Sequence, residues 1–225
     1  IVLFVGVPAL LVFKQPDLGT SLVYMAILCG MLFVANIRMR LVSIIVGVLV
    51  VLAPLGWFVL KEYQKQRILV FLNPNIDPFG AGYHIIQSKI AIGSGLILGK
   101  GLFNGTQSQL NFLPENHTDF IFSVIGEELG FVGCVFVLIL LFILIYRSIV
   151  IARTAGDTYG MLLATGIGSM IGFQVLINVG MTTGIMPVTG IPLPFISYGV
   201  SALTTNMISI GLLLNIALHR KKLMF

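Results

Sequence analysis

The sequence predicts an all-α fold: a polytopic transmembrane helix bundle with a long extracytoplasmic loop that contains a short interfacial helix. Two observations predict this class. Hydrophobic residues make up 57% of the 225 residues and charged residues only 9%, whereas soluble domains carry about 25% charged residues. The apolar residues also form runs long enough to cross a hydrocarbon core, which takes about 20 helical residues. Lipid is therefore the expected solvent over most of the surface.

Apolar runs divide the chain into five full predicted spans and one partial span. The partial span opens the chain and lacks the basic flank and cleavage site of a signal peptide. We interpret it as the end of a truncated helix and treat residues 1–225 as a single membrane domain. The predicted spans are 1–13 (partial), 18–35, 41–60, 120–146, 159–182 and 198–218.

Basic residues in the short connections predict the orientation, because they concentrate on the cytoplasmic side of membrane proteins. His219 is followed by Arg220, Lys221 and Lys222 without an acidic neighbour, which favours a cytoplasmic C-terminus. Alternation of the spans then places 61–119 outside. The net charge of +5 does not predict nucleic-acid binding, because the basic residues form no single solvated patch.

The outward segment 61–119 holds most of the polar chemistry. Loops beyond about 15 residues are usually functional or disordered, and residues 83–92 are too apolar for disorder. Ile85, Ile86 and Ile92 fall near one face at helical spacing, with Gln87 and Ser88 directed away from it. A short interfacial or re-entrant helix is therefore predicted over 83–92.

Three titratable side chains, Glu115, His117 and Asp119, lie directly before the apolar run that starts at Phe120. The structural interpretation is that Asp119 caps the following helix, as an aspartate before an apolar run commonly does. The functional interpretation is that its carboxylate faces a polar cavity at the membrane surface. The two are compatible, and the neighbouring titratable groups favour function.

Two more carboxylates, Glu127 and Glu128, lie about 12 Å beyond Asp119 if the run is helical. Ionisable groups at that depth cost several kcal/mol unless they are paired or face water. Successive helical residues point about 100° apart, so only one of the two is expected to share a cavity with Asp119. A polar cavity and pairing with a cation such as Lys14 explain them equally well.

The remaining polar and irregular segments have structural interpretations of their own. Asp17 follows Pro16 at a predicted helix start, where it can act as a cap. The stretch 184–194 is rich in Pro and Gly, and irregular backbone at a membrane persists where it lines a cavity or meets water. Cys29 and Cys134 have no ligand-like spacing, so neither a metal site nor a disulfide is predicted. These features do not choose between an enzyme and a transporter.

Three motifs, in this order along the chain, resemble signatures of the SEDS (shape, elongation, division and sporulation) family, which includes RodA, FtsW and SpoVE. They are Gln-Pro-Asp-Leu-Gly-Thr at 15–20, Leu-Pro-Glu at 113–115 with His-Thr-Asp-Phe at 117–120 and Gly-Glu-Glu-Leu-Gly at 126–130, and Pro-Leu-Pro at 192–194 with Ser-Tyr-Gly at 197–199. The loop 80–95 is similar to RodA-type members. Val200 departs from the family pattern, which has a second glycine there.

The resemblance implies a peptidoglycan glycosyltransferase that polymerises lipid II during cell elongation, in the bacterial cytoplasmic membrane. Asp119 matches the family's catalytic aspartate and is assigned as general base, with undecaprenyl pyrophosphate as the leaving group. The substrate-binding candidates are Asp17, Lys89, Lys100, Glu115, His117, Thr189 and Ser197. No metal ligand is assigned. The charge of the departing pyrophosphate is expected to be neutralised by Lys89, Lys100, Arg67 or His117, or by a bound divalent cation.

The resemblance also implies partners: lipid II, membrane lipid and a class B penicillin-binding transpeptidase. Two alternatives are open. In the first, the same cavity flips lipid II and Asp119 only anchors a polar head. In the second, the protein is a scaffold that only positions the transpeptidase. We expect the segment 1–225 to be inactive by itself, because cavity-facing groups lack their N-terminal neighbours.

Overall fold

A computed structural model describes residues 17–35, 62–110 and 112–219, together with 8, 11, 12 and 15. The side chains at 18, 63 and 81 are not among the features it describes. Lys14, the predicted span 41–60, most of the partial span 1–13 and the basic residues after His219 lie outside the described residues.

The described residues form helices and no strand, which confirms the predicted all-α class. The helices are α1 (Leu18–Val34), α2 (Glu62–Leu72), α3 (Ala81–Ser94), α4 (Thr106–Gln109), α5 (Ile121–Thr154), α6 (Thr158–Thr183) and α7 (Val200–Leu218), with a 3₁₀ turn at Pro74–Ile76.

Within the described ranges, α5, α6 and α7 are long and apolar enough to cross a membrane. They match the last three predicted spans, and α5 also includes Arg147 and Arg153, which we expected in a connection. Helix α1 has 17 residues, near the shortest length that spans a bilayer. Val200, the first residue of α7, is 76% exposed, so the departure from the family pattern costs no packing there.

Helix α6 lies at the centre of the bundle, where it packs against α1, α3, α5 and α7. Ala164 and Ile171 of α6 are fully buried in a cluster that includes Leu213 of α7. Small residues let the helices approach closely: Gly30 of α1 lies against Ser169 of α6. Such contacts are how helices associate in lipid, where the hydrophobic effect gives no preference for helix–helix burial.

Helix α3 is the helix predicted in the long loop, although its buried face differs from the prediction. Ile85, Ser88 and Ala91 form the buried face against α5 and α6, so the outward direction predicted for Ser88 is wrong. Its hydroxyl lies 2.6 Å from both Ser123 Oγ and the carbonyl oxygen of Thr182. These hydrogen bonds satisfy the hydroxyl and allow its burial.

Helix α5 is interrupted at Gly130, whose φ of 66° and ψ of −162° are not helical. A break in a membrane helix frees backbone groups that must find partners within the protein. The loop 95–101 supplies them. Its N–H groups at Lys100 and Gly101 donate to the carbonyls of Glu127 and Glu128 at 3.0 Å each.

On the other side of the break, N–H groups of α5 donate hydrogen bonds to carbonyls of the same loop. Phe131 N–H donates to the Leu96 carbonyl at 2.9 Å and Val132 N–H donates to the Ile97 carbonyl at 3.1 Å. Four backbone hydrogen bonds therefore join the loop to the broken helix, and they fix the loop relative to the start of α5.

Candidate active site

Asp119 lies in the turn that leads into α5, at the mouth of a membrane-spanning helix. The N-cap of α5 is Phe120, and no side chain caps this helix. The capping interpretation of Asp119 is therefore wrong. The hydrogen bond that Asn178 donates to Asp119 ends on its backbone carbonyl, which leaves the half-buried carboxylate for another role.

Glu115 organises this turn. Its carbonyl accepts hydrogen bonds from the N–H groups of Thr118 and Phe120, both at 3.2 Å, and its carboxylate accepts the Thr118 hydroxyl at 3.1 Å. The φ of Glu115 is 54°. A non-glycine residue in the left-handed region costs about 1–3 kcal/mol, and such residues cluster at functional sites.

Three successive carbonyls, at 117, 118 and 119, each accept a hydrogen bond from the third motif or from α6. The donors explain how the turn is held against the rest of the bundle. The bonds are Tyr198 N to His117 O (2.8 Å), Ser197 Oγ to Thr118 O (2.6 Å) and Asn178 Nδ2 to Asp119 O (2.9 Å).

Ser197 and Asn178 also hold the segment 184–199 in place. Ser197 Oγ accepts from Leu193 N–H at 2.7 Å, and Asn178 Nδ2 donates to the Ile191 carbonyl at 2.8 Å. Each side chain therefore bridges the Asp119 turn and the Pro-rich segment. These two polar side chains therefore satisfy part of the irregular backbone.

Glycines allow the first and third motifs to close around the same place. A Cβ on Gly190, whose φ is 77°, would lie 3.3 Å from Asp119 Oδ2, and a Cβ on Gly19 would lie 2.9 Å from Ile191 Cγ1. Gly19 belongs to the first motif, Asp119 to the second, and Gly190 and Ile191 adjoin the third. The segment that precedes the third motif therefore packs against the first motif at Ile191 and against the Asp119 carboxylate at Gly190.

The electrostatic surroundings make Asp119 a stronger base than an exposed aspartate. Burial raises the pKa of Asp119 above its ordinary value of 3.8, and the negative charge of Glu115 raises it further. Arg67 and His84 act in the opposite direction, but the net direction is upward. A carboxylate with a raised pKa accepts a proton more readily from a weakly acidic hydroxyl.

Comparison with known proteins decides the family. A model of the FtsW/RodA/SpoVE family, described as a cell cycle protein, matches residues 1–222. The chain belongs to this family. It is accordingly a multi-pass membrane protein, in agreement with its apolar helices.

Relatives in the FtsW/RodA/SpoVE family include the peptidoglycan glycosyltransferase MrdB of Escherichia coli K12, 49% identical over 217 residues, which are 96% of this chain and 59% of that protein. Stage V sporulation protein E of Bacillus subtilis is 43% identical over 94% of this chain and 57% of its own. The chain thus spans little more than half of these relatives.

Two solved structures have the same fold. One comes from work on the structural coordination of polymerization and crosslinking by a peptidoglycan synthase complex; its TM-score is 0.78 at 34% identity, over 94% of this chain and 59% of that one. The other is a mutant of the Thermus thermophilus rod shape determining protein RodA, with a TM-score of 0.62 at 30% identity, over 95% of this chain and 54% of that one.

The family motif also contains Glu127, which is fully buried and paired. Its Oε1 lies 2.8 Å from Lys100 Nζ and accepts the Gln107 N–H at 2.9 Å, while Oε2 accepts the Ser108 N–H at 3.1 Å. Pairing with a cation, rather than an open cavity, therefore explains this carboxylate. The cation is Lys100; Lys14, which we named as an example, lies outside the described residues. Glu128 is also buried, with Gln109 Nε2 at 3.5 Å.

The other predicted substrate-binding residues have varied surroundings. Asp17 caps α1, accepting the Thr20 N–H at 3.0 Å and its hydroxyl at 2.6 Å, which confirms its structural interpretation. Lys89 is exposed on α3 beside Gly184. The half-buried Thr189 has its hydroxyl 3.9 Å from the Met181 sulfur. Lys100 forms an ion pair with Glu127. The substrate roles of all seven candidates stay predictions.

Two polar residues around the turn escaped the sequence analysis: Asn178 and His84. Asn178 is a fully buried amide inside an apolar span, and polar groups at that depth are functional candidates by default, so a signal was present. His84 lies within the RodA-like loop but gave no signal of its own. Its position beside Asp119 depends on how α3 folds back onto α5.

No group of three or more His, Cys, Asp or Glu side chains within the described ranges could hold a metal ion. Mg²⁺ can bind through one or two carboxylates together with substrate phosphates, and Glu115 and Asp119 are close enough to interact. A divalent cation carried in with the substrate therefore stays a prediction.

Proposed function

We propose that the full-length protein is a peptidoglycan glycosyltransferase that polymerises lipid II into glycan strands. The supporting observation is the Asp119 carboxylate: it caps no helix, it is half-buried at the mouth of α5, and its pKa is raised. Relatives in Escherichia coli and Treponema pallidum carry the name peptidoglycan glycosyltransferase. In this proposal residues 1–225 form one membrane domain, 61–119 face outward and the C-terminus is cytoplasmic.

Asp119 acts as the general base in the proposed mechanism. It takes the proton from the 4-hydroxyl of the acceptor sugar, and the resulting oxygen nucleophile attacks C1 of the donor with inversion. The bond from C1 to the pyrophosphate oxygen breaks, and undecaprenyl pyrophosphate leaves with the electron pair. A positioned base contributes roughly 10²–10⁴-fold to such a reaction.

The remaining rate enhancement comes from orientation and from positive charge near the leaving group. Lys89, His117 and Arg67 are the candidates in this chain, together with a divalent cation. Lys100 is a weaker one because it already pairs with the buried Glu127. We also propose a transpeptidase of the class B penicillin-binding type as partner, since one structural relative was studied as a peptidoglycan synthase complex.

Asp119→Asn in the full-length protein tests the base. The substitution keeps the shape of the side chain but removes its basicity, so polymerisation of purified lipid II should fall by roughly 10²–10⁴-fold. Gel analysis of glycan products measures this. Asp157→Asn is the matched control: Asp157 caps α6, asparagine caps equally well, and activity should persist. Undiminished polymerisation by Asp119→Asn would remove Asp119 as base.

The flippase alternative would gain support from an intramembrane carboxylate, Glu127 or Glu128, that faces a polar pathway. Glu127 is instead fully buried and saturated by Lys100 and three other donors. Glu127 therefore gives the flippase no support, and we retain glycosyl transfer as the proposed function. Movement of labelled lipid II across vesicles by the unmodified protein, without any polymer, would reverse this preference.

A further inference from the structure

Asn178 occupies a place in α6 where an apolar residue would be expected. Its side chain is fully buried, and it lies between Ile177 and Val179 in a helix that is long and apolar enough to cross a membrane. Asparagine is a poorer helix former than leucine, and burying an amide costs free energy unless its polar atoms are paired. The presence of an amide here therefore has to be explained by its hydrogen bonds.

Both hydrogen bonds of the Asn178 side chain come from one nitrogen atom. Nδ2 donates to the Asp119 carbonyl at 2.9 Å and to the Ile191 carbonyl at 2.8 Å. A flipped amide would set its oxygen against two carbonyl oxygens, so these bonds fix the orientation of the group. Oδ1 is also buried, yet it has no partner among the residues that the structure describes. An unpaired acceptor lowers stability, so the two N–H groups are the useful part of this side chain.

The two accepting carbonyls belong to the two segments that meet at the Asp119 carboxylate. One is the backbone carbonyl of Asp119 itself. The other, at Ile191, directly follows Gly190, where an added Cβ would lie 3.3 Å from Asp119 Oδ2. The planar amide of Asn178 therefore sets the distance between the backbone that carries the carboxylate and the backbone beside one of its oxygens.

We propose that Asn178 is a positioning residue for the base: its amide N–H groups hold the Asp119 turn against the segment 190–191 and so fix the place of the Asp119 carboxylate. This inference rests on the proposed function, because it takes Asp119 as the base. A base acts within hydrogen-bond reach of the proton that it removes, and a displacement of about 1 Å can cost about 100-fold in rate. Because Asn178 is fully buried, it acts through Asp119 and not by contact with lipid II.

Asn178→Leu in the full-length protein tests this role. Leucine has a similar size and suits a helix, but it donates no hydrogen bond to either carbonyl. We expect kcat for lipid II polymerisation to fall by roughly 10–100-fold, while the affinity and the stoichiometry of lipid II binding stay unchanged. Gel analysis of glycan products measures the rate, and binding of labelled lipid II in detergent measures the rest. A merely structural defect would instead lower the fraction of molecules that bind lipid II.

Ile171→Ala is the matched control for stability. Ile171 is fully buried in the same helix, about two turns before Asn178, and it packs in the cluster that includes Ala164 and Leu213. Its truncation leaves a cavity and lowers the melting temperature, but it removes no hydrogen bond from the Asp119 turn. The kcat of each molecule that binds lipid II should therefore be unchanged.

Three results would overturn the inference: an unchanged kcat in Asn178→Leu, a loss of lipid II binding in proportion to the loss of rate, or an equal loss of kcat in Ile171→Ala. Asn178→Ala decides the matter if the leucine variant does not fold, since it removes the same donors and should show the same fall in kcat. Activity in Asp119→Asn refutes the base itself. An inactive Asp119→Asn beside a fully active Asn178→Leu refutes only the role of Asn178.

Discussion

Asp119 and Glu127 are carboxylates eight residues apart in one motif, yet the structure treats them in opposite ways. Glu127 is fully buried and accepts from Lys100, Thr106 and two backbone N–H groups. Asp119 is only half-buried, and its carboxylate accepts none of the helix-capping hydrogen bonds expected at its position. A carboxylate whose oxygens accept several hydrogen bonds within the protein stabilises the fold. A carboxylate without such bonds, on a backbone that is held in place, remains available for chemistry.

Removing the cation of the Glu127 site should give the largest effect on stability. Lys100→Met leaves a fully buried carboxylate without its cation, and breaking such a pair costs about 3 kcal/mol. We expect a clearly lower melting temperature in detergent. Glu127→Gln combined with Lys100→Met should recover part of that loss, because neither charge is then unpaired. Equal melting of Lys100→Met and the unmodified protein would contradict the comparison.

The break in α5 allows a second, smaller test of how the Glu127 region is built. Gly130 has backbone angles that are essentially restricted to glycine, so Gly130→Ala should cost about 1–3 kcal/mol in strain alone. Gly211→Ala is the matched control in α7, where an added Cβ meets no atom within 4 Å. Thermal unfolding should separate the two. If the Gly130 variant is as stable as the Gly211 variant, the backbone at Gly130 is not under the constraint that the contact between loop 95–101 and α5 implies.

The smallest expected effect on stability is that of replacing Asp119, which should not lower the melting temperature. Because burial and Glu115 raise the pKa of Asp119 in the folded protein, its protonated form is favoured by folding. The stabilising contribution is therefore present at low pH and is lost as the pH rises through the raised pKa. At neutral pH, Asp119→Asn should leave the melting temperature unchanged or slightly higher. Marked destabilisation would show that Asp119, like Glu127, is a structural carboxylate.

The sequence predicted the parts of the fold that depend on hydrophobic length. The spans at α5, α6 and α7 and the helix α3 follow from composition and periodicity, and the three family motifs led to Asp119. The first turn of α1 was also readable, since Asp17 caps it as expected.

The errors concern partners that are distant in sequence. Asp119 resembles a helix cap locally, but α5 begins one residue later than the pattern indicates. Ser88 appeared to point outward because its burial depends on Ser123 and Thr182, which lie 35 and 94 residues away. Lys100 was named only as a substrate-binding candidate, because no local rule connects it to Glu127. Tertiary pairing of polar groups inside a membrane protein has no short-range signature.

The four backbone bonds that join the loop 95–101 to α5 have a consequence for sequence variation. Because main-chain atoms form this joint, the exposed side chains at Leu96, Ile97 and Leu98 can change identity without loosening it. The constraint falls on Gly99 and Gly130, whose Cα atoms face each other so closely that a methyl group on either would collide with the opposite backbone. We therefore expect relatives to vary freely along this stretch while retaining both glycines.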